Sequence, residues 1–116
     1  MKLENLYSNI GTEYQTTLER FCSDENMLRM FVMSFPDDST YQNLEAAVDA
    51  LNYTEIESHA HALKGVSANL GFNKLQNACS EVVLCVRQQK LENIPPSFQR
   101  VKEAYQNIID EIQKLK

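Results

Sequence analysis

The sequence predicts an all-α protein: an antiparallel four-helix bundle, up-down-up-down, with short additional N-terminal helices. Only three glycines and three prolines occur among the 116 residues, and no segment shows the sustained two-residue alternation of a half-buried strand. Apolar residues instead recur every three or four positions, which is the spacing of one helix face. Amphipathic helices joined by short loops pack economically as an antiparallel bundle, and this length predicts one domain over residues 1–116.

The N-terminal part predicts three short helices. The first runs from Leu3 to Ile10 and ends at Gly11, a residue that tolerates the left-handed conformation of many helix ends. Thr12 caps the second helix, and Ser23 or Asp24 starts the third. The apolar side chains that we expect to face inward from the second and third helices are Tyr14, Leu18, Phe21, Leu28, Phe31 and Phe35.

The first bundle helix follows Pro36, which either breaks or kinks the chain. Asp37 or Asp38 restarts the helix, where a carboxylate complements the helix dipole. The inward stripe predicted for this helix is Tyr41, Leu44, Val48 and Leu51.

Three longer helices complete the predicted bundle. Thr54-Glu55-Ile56-Glu57 has the spacing of a capping box, so a helix is expected to start there, run to about Leu70 and end at Gly71. The next helix covers about Asn73 to Gln89, and Pro95-Pro96 marks the boundary before the last. The inward residues predicted for these last two helices are Leu75, Ala78, Cys79, Val82, Val86, Phe98, Val101, Tyr105, Ile108, Ile112 and Leu115.

Charge and composition exclude several classes of function. A net charge of −5 argues against binding to nucleic acid or to an anionic membrane surface. The longest apolar stretch, Val82 to Val86, is far shorter than the roughly 20 residues of a membrane span. Residues 1–5 lack the apolar core of a signal peptide. We expect a cytoplasmic protein whose Cys22, Cys79 and Cys85 are reduced, small core residues.

The Thr54–Leu70 helix carries an unusual exposed face. Relative to His61, Lys64 lies at about −60°, Gly65 at about +40° and Ala68 at about −20° on the helical wheel. Glycine inside a helix costs roughly 1 kcal/mol relative to alanine, so its presence asks for a reason such as the close approach of another molecule. Thr54, Glu57 and Ser58 complete the face, and the opposite, core-facing stripe is Ile56, Leu63, Val66 and Leu70, with Ala60 and Ser67 at its edge.

Metal and enzyme motifs are absent from the sequence. His59 lies about 160° from His61 on the wheel, so it is expected to pack on the core side, and the two imidazoles cannot chelate one ion. Cys79 and Cys85 are six residues apart and no CxxC occurs, so no zinc site is expected. There is no P-loop, kinase glycine-rich loop or GxSxG motif. We therefore predict no ATP site, no bound metal and no cofactor.

The run from Ala60 to Gly71 resembles the histidine-containing phosphotransfer (HPt) family of two-component phosphorelays. That family has histidine followed by lysine at +3, glycine at +4, small residues around +6 and an apolar-glycine pair near +9 and +10. His61, Lys64 and Gly65 fit the first three positions, and the later positions fit as well. The resemblance covers essentially the whole chain. One departure is His59, where a small or apolar residue is more usual.

The resemblance implies a role for each of these residues. His61 would accept the phosphoryl group, Lys64 would lie near its oxygens, and Gly65 would give clearance to a docking receiver domain. Arg87 would be the basic residue that the family often carries on the next helix, although its reach to His61 is open, and Ala68 is a further auxiliary position. Expected partners are response-regulator receiver domains and a sensor histidine kinase, with Mg²⁺ only in the receiver, and the protein is expected to be a monomer.

Two other interpretations remain open from the sequence. One is a helical docking or adaptor protein that binds a receiver or kinase domain without carrying phosphate. The other is a structural adaptor in which the HxxKG pattern is coincidental. Phosphorylation of the purified protein would distinguish a phosphate carrier from a docking protein. Absence of receiver binding would favour the structural adaptor.

Overall fold

The computed structural model describes residues 1–116 and contains seven α-helices and no strand. The predicted all-α bundle is confirmed: the four later helices pack as neighbours along the chain, and the first and last of them also contact one another. No helix combines the length and the apolar character that crossing a membrane requires. The helices are α1 (Leu3–Asn9), α2 (Tyr14–Arg20), α3 (Glu25–Ser34), α4 (Thr40–Asp49), α5 (Tyr53–Leu70), α6 (Asn73–Arg87) and α7 (Ile94–Leu115).

Pro36 ends the helical conformation between α3 and α4. It lies inside a single 3-10 turn, Phe35–Asp37, that directly follows the end of α3. Proline lacks the N–H that an α-helix needs, so α3 cannot continue through it. Helix α4 begins only at Thr40, whose backbone N–H donates to the Asp38 carboxylate at 2.8 Å. The break therefore separates the short N-terminal helices from the bundle.

Helix α5 begins earlier than the capping box predicts. Its first residue is Tyr53, and the carboxamide oxygen of Asn52 accepts a hydrogen bond from the Glu55 N–H at 3.2 Å. Asparagine caps a helix at least as well as threonine, so the cap two residues upstream replaces the predicted one at Thr54. The predicted end is confirmed, because Gly71 adopts the left-handed conformation at φ +74°.

The core comprises 27 buried apolar residues from six of the seven helices and their connections, and α2 packs against it with the partly buried Tyr14 and Leu18. Two residues predicted to face inward do not: Phe31 is 44% exposed and Leu51 is 65% exposed. Leu51 follows the end of α4 with φ +55°, so it no longer shares the inward face of that helix. The edge positions Ala60 and Ser67 are fully buried instead, because α5 is packed between α4 and α6.

The three cysteines occupy different environments. Cys79 is fully buried, and this burial raises the pKa of its thiol to about 12. Cys85 is half-buried, whereas Cys22 is exposed in the turn after α2 with φ +56°. The prediction that all three are core residues is therefore wrong for Cys22, whose apolar-periodic segment ends one residue before it at Phe21.

The N-terminal helices close the carbonyl end of α5. The last carbonyls of a helix have no partner within it. The Tyr7 hydroxyl of α1 donates to the Leu70 carbonyl at 2.7 Å, and the Arg20 guanidinium of α2 donates to the Ala68 carbonyl. Burial raises the pKa of the Tyr7 hydroxyl well above its ordinary value, so it remains a donor throughout the neutral range. These contacts fix the end of the helix that carries His61.

Replacing Gly71 by alanine is expected to lower the free energy of unfolding by roughly 2–4 kcal/mol. The φ of +74° is strained for any side chain, and an added Cβ would collide with the hydroxyl of the buried Thr17. Gly11→Ala is the matched control, because φ is +78° there but an added Cβ lies 3.5 Å from the nearest atom, at the flexible end of Lys74. Its loss should be only roughly 1–2 kcal/mol. Urea denaturation followed by circular dichroism compares the two, and equal losses would contradict the collision.

Candidate functional site

His61 lies in the middle of α5 on its solvent face. Its side chain is exposed, whereas His59 is half-buried on the other side of the helix. The opposite orientations predicted from the helical wheel are therefore confirmed. An exposed imidazole on a rigid helix is accessible to a second protein, and a half-buried one is less accessible.

The small residues around His61 leave its surroundings open. A Cβ added to Gly65 would meet no atom within 4 Å, and the residue has no positive φ. Neither packing nor backbone conformation within this chain therefore requires glycine at this position. Lys64 and Ala68 are half-buried on the same face, and Lys64 takes part in none of the protein's three ion pairs.

Arg87 and His61 line the same open surface depression, which has a volume of about 310 Å³. Arg87, the last residue of α6, thus borders the space next to His61. Its Nε donates to the Glu57 carboxylate at 3.0 Å, one helical turn before His61. Thr54 and Ser58 complete a lining that contains no apolar residue. Such a polar, cation-bearing depression suits a small anionic group.

No group of three or more histidine, cysteine, aspartate or glutamate side chains is placed to hold a metal ion. The acidic residue at the depression, Glu57, is already paired with Arg87. The chemistry that the arrangement can support is nucleophilic attack by an imidazole next to cations, because a neutral imidazole carries an available lone pair.

An exposed apolar patch on α3 was not predicted from the sequence. Met27, Met30 and Phe31, here called the α3 patch, are 37%, 63% and 44% exposed. Phe31 also borders a groove of about 230 Å³ whose other wall includes Val66 and Asn69 of α5. The available signal was a second apolar stripe on α3, offset by one residue from the buried stripe of Leu28, Val32 and Phe35. Phe31 therefore connects the patch to the surface of α5.

Comparisons with known proteins identify the family of the chain. The family model described as Hpt domain matches residues 26–112, from within α3 to near the end of α7. Histidine-containing phosphotransfer protein 1 of Arabidopsis thaliana is 26% identical over 80 residues, which cover 67% of this chain. The chain spans about half, 52%, of that protein's length.

No solved structure gives a significant match. Helices α1 and α2, which close the end of α5, lie outside the matched residues. Because the family model matches well over half of an all-helical chain, the protein belongs to the Hpt domain family, whose members are phosphotransfer carriers rather than classical enzymes.

Proposed function

We propose that this protein is a phosphorelay carrier that accepts a phosphoryl group on His61 and exchanges it with an aspartate of a response-regulator receiver domain. The observation that carries the proposal is the exposed His61 in the middle of α5, beside a glycine whose missing side chain leaves open space. Membership of the Hpt domain family supports the carrier role in general. The same surface would receive the phosphoryl group from a sensor histidine kinase or from its receiver domain.

The transfer is a displacement at phosphorus. A nitrogen lone pair of His61 attacks, an N–P bond forms, and the P–O bond of the aspartyl phosphate breaks so that the carboxylate leaves. Phosphoryl transfer asks the protein mainly for positioning and for positive charge near the phosphoryl oxygens. Lys64 and Arg87 supply that charge on this side. The receiver supplies its own acidic pocket and Mg²⁺, so the carrier itself needs no cofactor.

The partner surface extends beyond His61 itself. Gly65 gives a receiver domain room to approach α5, and Phe31 of the α3 patch offers apolar contact area across the groove that it shares with Val66 of α5. Burial of apolar surface contributes roughly 25 cal/mol per Å², so even a small patch can orient a transient complex. We propose that the protein engages one receiver domain at a time as a cytoplasmic monomer.

The test is transfer from a receiver domain that carries a labelled aspartyl phosphate. The label should move to this protein and become acid-labile and base-stable, as a phosphohistidine is. Binding of the receiver without transfer of the label would instead identify a docking or adaptor protein. Absence of both binding and transfer would leave only a structural helical bundle.

Lys64→Ala is expected to reduce the rate of phosphoryl transfer by about ten- to a hundredfold, the value of one charge-assisted contact. Its melting temperature should stay close to that of the wild type, because surface charges contribute little to stability. Lys64→Arg should recover part of the loss, since it keeps the charge but changes its shape. Lys102→Ala removes an exposed lysine of α7 and is the control. Rates and phosphohistidine lifetimes equal to wild type in Lys64→Ala would contradict the role.

A further inference from the structure

The ion pair between Arg87 and Glu57 uses only one edge of the guanidinium group. Nε of Arg87 donates to Glu57 Oε2 at 3.0 Å, while its two Nη nitrogens have no partner within the protein. Arginine presents five N–H donors in a planar fork, so four of them remain available. The depression beside these donors is the one that His61 also lines.

This ion pair contributes little to the stability of the fold. The side chains of Arg87 and Glu57 are 57% and 36% exposed, and pairs of this kind stabilise proteins by at most about 1 kcal/mol. The position of the ion pair, next to His61, indicates a role at the site rather than in stability. Glu57 precedes His61 by four residues, so both lie on one face of α5, one turn apart.

We propose that Glu57 is a positioning residue, which holds Nε of Arg87 so that the remaining guanidinium donors stay beside the phosphoryl group of phosphorylated His61. The inference rests on the proposed function, because it concerns the phosphorylated form of the same histidine. A long arginine side chain at the end of a helix otherwise samples many rotamers. A carboxylate that holds one edge of the group removes much of that freedom before the phosphoryl group arrives.

If Glu57 instead competed for Arg87, its removal would have the opposite effect on the contact between Arg87 and the phosphoryl group. As a competitor, its carboxylate would withhold Arg87 from the phosphoryl group, and its removal would strengthen the contact. As a positioning residue, its removal weakens the contact. The direct repulsion between Glu57 and the phosphoryl group acts with or without Arg87. A double-mutant cycle therefore removes most of it and measures the coupling between Glu57 and Arg87.

The experiment measures the pKa of the phosphoryl group by ³¹P NMR after phosphorylation with potassium phosphoramidate. Phosphorylated side chains titrate near neutral pH, and a neighbouring cation favours the dianion and so lowers this pKa. Lys64 is kept in every variant, so its contribution is constant. Arg87→Ala should raise the phosphoryl pKa by roughly half a unit to one unit, a three- to tenfold change in proton affinity.

The decisive comparison is Glu57→Gln with and without Arg87. We expect the change caused by Glu57→Gln to be more positive in the protein that contains Arg87 than in the Arg87→Ala variant, by about 0.3 unit, or twofold. A more negative change would identify Glu57 as a competitor, and equal changes would show no coupling. Either result overturns the inference, as does an unchanged phosphoryl pKa in Arg87→Ala.

The ion pair between Arg100 and Glu81 is the matched control. It joins α6 to α7 at 2.8 Å with side chains 57% and 50% exposed, and neither residue lines the depression. The variants Arg100→Ala and Glu81→Gln should leave the phosphoryl pKa unchanged. Failure of phosphoramidate to modify His61 at all would be a failure of the proposed function. Modified His61 with no effect of Arg87 or Glu57 would overturn this inference alone.

Discussion

His61→Gln is expected to abolish phosphorylation of the protein, both from a phosphorylated receiver domain and from a small phosphodonor. Glutamine keeps the polarity and approximate size of histidine but has no nucleophilic nitrogen. Position 61 is exposed on α5, so the substitution should leave helicity and thermal stability close to those of the wild type. The measurement is incorporation of acid-labile, base-stable label, with circular dichroism to verify the fold.

His59→Gln is the control for this result. The structure holds the chain's only other histidine half-buried two residues away, so its replacement should retain labelling and lower stability modestly. Label that persists in His61→Gln would overturn the assignment of the phosphoacceptor. Label lost in both variants would point instead to a general disturbance of α5.

Gly65→Gln is expected to slow transfer from a receiver domain by about a hundredfold, because a displacement of roughly 1 Å in a reactive complex has an effect of this size. A Cβ added at this position meets no atom of the protein within 4 Å. We therefore expect the longer side chain to act on the partner's approach rather than on packing within the protein. Rapid-mixing kinetics with a labelled receiver measure the rate, and a small phosphodonor, which needs no docking, should label the variant normally.

Gly65→Ala distinguishes the effect of glycine on the partner's approach from its effect on helix stability. Alanine should raise the free energy of unfolding by up to about 1 kcal/mol, because glycine is the poorer helix former. Its single methyl group should leave most of the transfer rate intact. If Gly65→Gln exchanges phosphate with the receiver as fast as wild type, the partner does not approach α5 at this position.

The helical wheel was sufficient to predict the exposed positions of His61 and Gly65 on α5 and the core residues of α7. Both helices are long, and their apolar residues repeat at three and four positions over several turns, so the burial of Leu63 or Ile112 follows from spacing alone. The orientation of His61 relative to His59 needs nothing beyond the 100° rotation per residue. Such properties belong to a single helix and do not depend on its neighbours.

Features that depend on two segments were harder to predict. The pairing of Arg87 with Glu57 requires the relative rotation of α5 and α6, which no single-helix pattern contains. Phe31 has an apolar side chain at helical spacing, yet α3 buries only its other stripe, with Leu28 and Val32, against the rest of the protein. At the start of α5, Asn52 and Thr54 are both good caps, and only the observed hydrogen bond distinguishes them.

The most direct test of the account is to locate the phosphoryl group on the wild-type protein after transfer from a receiver domain. Labelling of the protein with ¹⁵N allows the phosphorus-nitrogen coupling to be assigned to one imidazole by NMR. We predict a single phosphorylated residue, His61, formed as the aspartyl phosphate of the receiver disappears. Phosphate found on His59 or on a residue other than histidine, or retained by the receiver in a stable complex, would contradict the central claim.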